Sequence, residues 1–296
     1  MSPGLAFGFL DTGCNILTMR LHSQSSLPPY LQSLHFFFGV GALLAPLLIH
    51  SIGYPTAFYA MSSFAIITAV PLLFTPPPPA TPEPPPTTLN PTSKSPFPKI
   101  AFLTGLFLFL YVGSEVTVGG FLTTLTVTSY PASVSTGQLI TSLYWGTLTL
   151  GRLLAIPLST ALSPPTILAL NILGCTLTSL TISLSPTLNT LWYGTALFGL
   201  AMASSFPTAI NLAQSYIPVT GRVMGYVNVM ACMGEVAIPV AAAWMLKNGV
   251  FVECIAGLSV AQGVVVGLLV REGRRGGEGH FRMEDEEEGA EQDRKL

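Results

Sequence analysis

The chain has 296 residues, of which 50% are hydrophobic and 9% charged, with a net charge of −2 and a mean hydropathy of +0.60. A soluble domain carries about 25% charged residues, so this chain cannot cover itself with polar surface and needs lipid as its solvent. That excludes a soluble globular domain, and no basic, aromatic-laced stretch points to a nucleic-acid partner.

Nine apolar runs of spanning length follow one another: 3–20, 31–50, 54–74, 100–127, 134–160, 164–184, 189–213, 222–246 and 250–270. About 20 residues of helix cross the hydrocarbon, and a backbone in lipid must bond to itself. The runs do not alternate with period two, as the strands of a barrel do. The expected fold class is an all-α membrane protein of about nine transmembrane helices.

Residues 76–99 divide the first three spans (1–75) from the last six (100–270). Within them PPPPATPEPPPTTLNPTSKSPFP, residues 76–98, has 11 prolines in 23 residues, which predicts an extended linker with no core of its own. Residues 271–296 carry MEDEEEGAEQD and read as an acidic, disordered tail. With linker and tail in the cytoplasm, Lys247 is the one Lys or Arg of twelve left outside, a strong positive-inside signal. That orientation puts Met1 outside, with no charged leader or cleavage site to carry it there.

Cys14, Cys175, Cys232 and Cys254 all lie in apolar spans without metal or disulfide spacing. No metal or cofactor is expected. GxxxxGK[ST], HExxH and GxSxG are absent, so neither nucleotide drive nor an intramembrane enzyme is suggested.

Four acids lie within spans: Asp11, Glu115, Glu235 and Glu253. A charge near the bilayer centre costs roughly 2.5–3.5 kcal/mol on insertion scales, and such residues face a cavity or a partner. Asp11 is mid-span, with Asn15 one turn on and on the same face. The first and seventh spans resemble each other. Both begin Gly-Leu-Ala and both end Thr-x-x-Asn (Thr12/Asn15 and Thr208/Asn211), and the next span of each carries Gly-x(4)-Pro (Gly41–Pro46 and Gly234–Pro239). The matched spans are six apart, the plan of a parallel repeat in transporters. Pro207 stands in the second copy where Asp11 stands in the first, so the second copy is expected to bind or bend rather than carry a proton.

GFLDTGCN (8–15) and LQSLHFFFGVGALLAPLL (31–48) resemble helices four and five of the fucose-permease-like branch of the major facilitator superfamily. That branch includes the sodium-dependent glucose transporter and the major facilitator superfamily domain-containing protein 4 group. FLYVGSEVTVGGFL (109–122) resembles its helix seven, SLYWGTLTLGRLLAIPL (142–158) its helix eight, and GLAMASSFPTAINL (199–212) its helix ten. The resemblance implies an incomplete major facilitator fold, helices 4–12 of 12, with the first three helices missing.

It also implies roles. Asp11 falls on the acid that is protonated in proton-coupled fucose symporters, and Asn15 on the Asn of the same motif. His35 stands where those symporters carry a sugar-contacting amide. Glu115, among Gly113, Gly119 and Gly120, is a second coupling candidate. Gln138, Tyr144, Trp145, Thr208 and Asn211 are candidates for substrate contact, although aromatics are also ordinary span filler. Arg152, placed at the cytoplasmic end of helix eight, and Glu235 are candidates for gating, with Arg152 or Arg222 as partners for Glu235. Glu253 reads as interfacial, within reach of Lys247 or water. For Asp11, His35 and Glu115 the alternative is a polar group bonded to a neighbouring helix for packing.

The function implied is secondary transport of a small polar solute, a monosaccharide first, coupled to H⁺ or Na⁺ in a multi-pass protein of the plasma membrane. The alternative is a non-transporting membrane protein, either a solute sensor or a truncated isoform. Solute uptake that collapses with the ion gradient discriminates the two.

Overall fold

The computed structural model describes residues 3–23, 25–76 and 97–293. The linker expected over 76–99 lies outside them except at its two ends. Six segments, beginning at Lys99, Val134, Pro164, Leu188, Gly221 and Phe251, are each long and apolar enough to cross a membrane. Ten helices form among the described residues: α1 (Pro3–Leu21), α2 (Leu27–Ile52), α3 (Tyr54–Leu72), α4 (Phe97–Ser129), α5 (Val134–Ala161), α6 (Pro164–Leu184), α7 (Leu188–Met202), α8 (Ser205–Gln214), α9 (Gly221–Lys247) and α10 (Phe251–Asp293). Helix starts follow local chemistry. Ser133 and Thr187 each accept a bond at 3.1 Å from the backbone N–H three residues on, at the starts of α5 and α7.

Nine expected spans become ten helices because the seventh is broken between Met202 and Ser205. Pro207 is the cause. It has no N–H to offer the carbonyl of Ala203 four residues back, and its ring crowds that position. The turn at Ser204 (φ −97°, ψ 4°) absorbs the bend. A second difference is at the end of the chain. α10 continues to Asp293, where the sequence analysis expects a disordered tail. The Glu, Gln, Met, Arg and Ala of that stretch are good helix formers and no proline interrupts them, although its glycines oppose the helix.

Helices α4–α10 form one bundle with α4 at its centre, packed on α5, α9 and α10. The first three helices lie against it rather than apart from it. α2 packs on α5 and α8, α1 bridges α2 and α9, and α3 packs on α2. Large apolar side chains turn outward around the rim, such as Phe64, Tyr193 and Val240 at about 70% exposure. Lipid is the solvent that makes this arrangement favourable.

Close approach of α4 and α9 depends on Gly234. A Cβ there would run into the carbonyl of Phe109, and a Cβ on Gly113 opposite would meet the carbonyl of Gly234 at 2.6 Å. The glycines of α4 therefore serve contact, since the helix runs unbroken from Phe97 to Ser129. Gly234→Leu is expected to abolish recovery of folded, monodisperse protein in detergent. Gly225→Ala, in open space on the same helix, is expected to be tolerated, with a gain of about 0.5–1 kcal/mol. Size-exclusion profiles of the two variants check this.

Candidate functional site

Two polar centres lie on the seam between the first three helices and the bundle. At the first, α1 presents Asp11, Thr12 and Asn15. The Asn228 amide of α9 donates to Asp11 Oδ2 and to Thr12 Oγ1, both at 2.8 Å. The Asn15 amide donates to the Asp11 carbonyl at 2.9 Å and to Asp11 Oδ1 at 3.3 Å. Asp11 and Thr12 are half-buried and Asn15 is fully buried. The sequence places Asp11 and Asn15 on one face, and the structure agrees.

At the second centre, α2 presents Gln32 and His35, one turn apart, to α8. Gln32 Nε2 donates to Thr208 Oγ1 at 2.9 Å, and the His35 ring lies against Phe206 with centroids 4.8 Å apart. Gln32 Oε1 and His35 Nε2 are both buried without a hydrogen-bond partner. A buried polar atom left unpaired costs about 1–3 kcal/mol, so these two acceptors, one helical turn apart, make the second centre a candidate place for the donors of a ligand or an ordered water.

The two centres obey the repeat. Thr12 and Thr208 are its matching threonines, and each bonds to an amide on the helix facing it across the seam, Asn228 and Gln32. Asn228 lies as far beyond Gln32 in sequence as Thr208 lies beyond Thr12. The chain therefore carries two related clasps.

Behind the second clasp sits a buried ion pair. Arg152 of α5 donates to Glu115 Oε1 of α4 at 3.0 Å. Its other nitrogens donate to the Ala203 carbonyl at 3.3 Å and to the His35 carbonyl at 3.4 Å, and its carbon centre lies 5.6 Å from the Phe38 ring centroid. The Ala203 carbonyl is the group that Pro207 deprives of its helical donor, so the guanidinium repairs the break. The α6 side chain of Asn171 braces the same turn, within 2.8 Å of Ser204 Oγ and 3.1 Å of Ser205 Oγ. The Tyr111 and Tyr144 hydroxyls lie beside the pair, and Tyr144 donates to the Glu115 carbonyl at 3.1 Å.

These contacts correct several sequence expectations. Arg152 is not at the cytoplasmic end of its helix. It is 2% exposed, well short of Ala161, because the helix runs on past Pro157. Glu115 is not a free acid, since Arg152 neutralises it. Glu235 is exposed and makes no ion pair among the described residues, so it is not Arg152's partner. Gln138 is exposed near the start of α5, away from both centres. Tyr144 is wholly buried and bonded within the bundle, and Trp145 packs on Gly119 of α4. Asn211 is buried on α8 beyond Thr208. Glu253 accepts from Ser183 at 2.7 Å on the exposed side of α10. Gln32, Asn171 and Asn228 are polar residues in apolar spans that sequence reasoning passed over in favour of the acids. The signal was present, because polar groups at membrane depth mark contacts or sites.

All-helical among its described residues and with a repeat-related pair of polar clasps on its internal seam, the chain has the parallel-repeat plan of a multi-pass membrane protein. The chain belongs to the Major Facilitator Superfamily, whose family model matches residues 4–274. It is 30% identical to a Sodium-dependent glucose transporter 1 of Xenopus laevis over 82% of this chain and 56% of that one. It is 28% identical to the Homo sapiens protein of the same name over 80% of this chain and 53% of that one. The chain spans about half the length of the curated relatives it matches. Its fold is similar to a crystal structure of the transporter FucP in the outward conformation, with a TM-score of 0.73 at 14% identity over 89% of this chain and 72% of that one. It is also similar to a crystal structure of a point variant of the E. coli fucose:proton symporter FucP, with a TM-score of 0.71 at 17% identity over 89% and 73%. The major facilitator fold that the sequence resemblance implies is the one found, over 72% of the FucP chain in the outward conformation.

Proposed function

We propose that this chain carries a small polar solute, a monosaccharide, across a membrane by alternating access coupled to H⁺ or Na⁺. The observation that carries the reading is the second clasp. Gln32 Oε1 and His35 Nε2 are buried and unpartnered where α2 meets α8. A sugar hydroxyl both donates and accepts, so a ring of hydroxyls supplies what these two atoms lack. Asp11 is the coupling acid in this reading, because Glu115 already has its counter-charge. The printed names of the relatives, glucose transporters and a fucose symporter, support the solute class. The positive-inside count supports a cytoplasmic linker and tail, and the plasma membrane is the proposed site of action.

The test is binding and uptake of a hexose panel by the purified chain in proteoliposomes. Gln32→Leu and His35→Leu are each expected to weaken hexose binding about tenfold, or ~1.4 kcal/mol. Unchanged binding in both would remove the clasp from the solute path. The second reading is a non-transporting sensor or a shortened form of a carrier. Hexose binding without uptake is the result that selects it.

A further inference from the structure

We propose that the cytoplasmic end of α10 binds an anionic phospholipid, its headgroup held by Arg271, Arg274 and Arg275 and its acyl chains by the apolar face beneath them. The proposal goes beyond the transport reading and takes from it only the side of the membrane on which this end lies.

The helix itself sorts the residues. From Cys254 to Val270 α10 carries no charged side chain, and the three arginines follow directly. Spacings of three and four put Arg271, Arg274 and Arg275 on one face. The opposite face is the one that packs. Val265, Val266, Leu269 and Gly273 are buried, and a Cβ on Gly273 would run into the Tyr216 ring. With that face against the bundle, the arginines point outward, and all three are exposed. The same spacing continues down the span. Val260, Val264 and Leu268 are exposed and lie below the arginines on the same face. An apolar stripe of this kind meets acyl chains, and the guanidinia start where it stops. A ligand that fits both parts has hydrocarbon tails under an anionic head, which is the shape of an acidic phospholipid.

The charge balance supports an anion. The ion pairs among the described residues are Lys99–Glu272 and Arg152–Glu115, and none of the three arginines belongs to either. Glu272, the acid within electrostatic reach of Arg271 and Arg275, already accepts from Lys99 of α4 at 2.9 Å. The helix ends and loops at this end of the bundle, 20–27, 161–164 and 214–222, contain no acid, and Glu278 and Arg282, the next charged residues along the chain, have opposite signs. Lys99 and the three arginines thus stand against Glu272 alone. A guanidinium suits the task, since its planar fork meets a phosphate with two parallel hydrogen bonds. Positive-inside sorting needs only a count of cations on one side. It does not call for three of them on one helix face directly above a lipid-facing stripe. A headgroup held there fixes the end of α10 beside α4, where the Lys99–Glu272 pair already ties the two helices.

The test is native mass spectrometry of the purified chain in detergent, titrated with phosphatidylserine or phosphatidylcholine of the same acyl chains. Phosphatidylserine is expected to bind more than about tenfold more tightly. Arg271→Gln, Arg274→Gln and Arg275→Gln are each expected to weaken it about threefold, and the triple variant to lower it to the level of phosphatidylcholine. Arg271→Lys/Arg274→Lys/Arg275→Lys is expected to keep the preference, and unchanged phosphatidylcholine binding in every variant reports an intact fold. Equal binding of the two lipids to the unaltered chain overturns the proposal, and so does a preference that survives the triple Gln substitution. Glycerophosphoserine, the headgroup without chains, is expected not to compete. Displacement of the lipid by it at equal concentration overturns the lipid assignment in favour of a soluble anion. None of these readouts depends on hexose binding or uptake, so the transport reading stands or falls separately.

Discussion

Arg152→Met is expected to be among the most damaging single substitutions in the chain, lowering stability by about 3–5 kcal/mol. The side chain is buried and joins three elements: Glu115 of α4, the freed carbonyl of Ala203 between α7 and α8, and the carbonyl of His35 in α2. Removing it leaves the Glu115 carboxylate buried without a counter-charge, and leaves the carbonyl that Pro207 orphaned without a donor. Glu115→Leu alone is damaging for the converse reason. The double variant Glu115→Leu/Arg152→Met buries no unpaired charge and is expected to be more stable than either single variant. Thermal unfolding in detergent, followed by exposure of the buried Cys175, ranks the four proteins. If the double variant is no better than the singles, the pair is not what makes Arg152 indispensable.

Asp11→Asn is expected to act on function instead. Asn228 and Asn15 still find an oxygen to bond at position 11, so the protein folds and its melting temperature changes little. What is lost is a group that can change its charge. Ion-driven hexose uptake is expected to fall by more than about tenfold, equivalent to at least ~1.4 kcal/mol, while hexose binding at equilibrium persists. Uptake that is undiminished and still gradient-driven would move the coupling role elsewhere in the chain.

The sequence carries the gross architecture because the bilayer imposes it. An apolar run of spanning length has one stable form, and the runs mark eight of the ten helices, most of them within a few residues. The remaining two share one run, and Pro207 already signals the bend that splits them. The polar interior was only partly legible. Glu115 and Arg152 were each recognisable as unusual, but their pairing depends on the register of α4 against α5, which composition does not determine. Asn228 was in principle legible, since the repeat that relates Thr12 to Thr208 also relates Gln32 to Asn228. An amide in an apolar helix is nonetheless a weaker signal than a charge, and the acids outweighed it. Glu235 shows the opposite error. It is an acid whose helix position faces outward, and no local pattern distinguishes it from an inward one.

The two clasps have a consequence for how the molecule moves. Each contains a hydrogen bond between an amide and a hydroxyl, joined at the first clasp by a bond to the Asp11 carboxylate, and bonds between helices in lipid are worth about 0.6 kcal/mol on average. The Arg152–Glu115 pair lies within the α4–α10 bundle, and its guanidinium also reaches across the seam to the His35 carbonyl of α2. The seam is thus held mainly by the packing of α2 on α5 and α8, with the two clasps setting its register like the two pins of a door. Releasing one amide–hydroxyl bond alone is cheap, so the register of the seam can shift at one pin while the other holds.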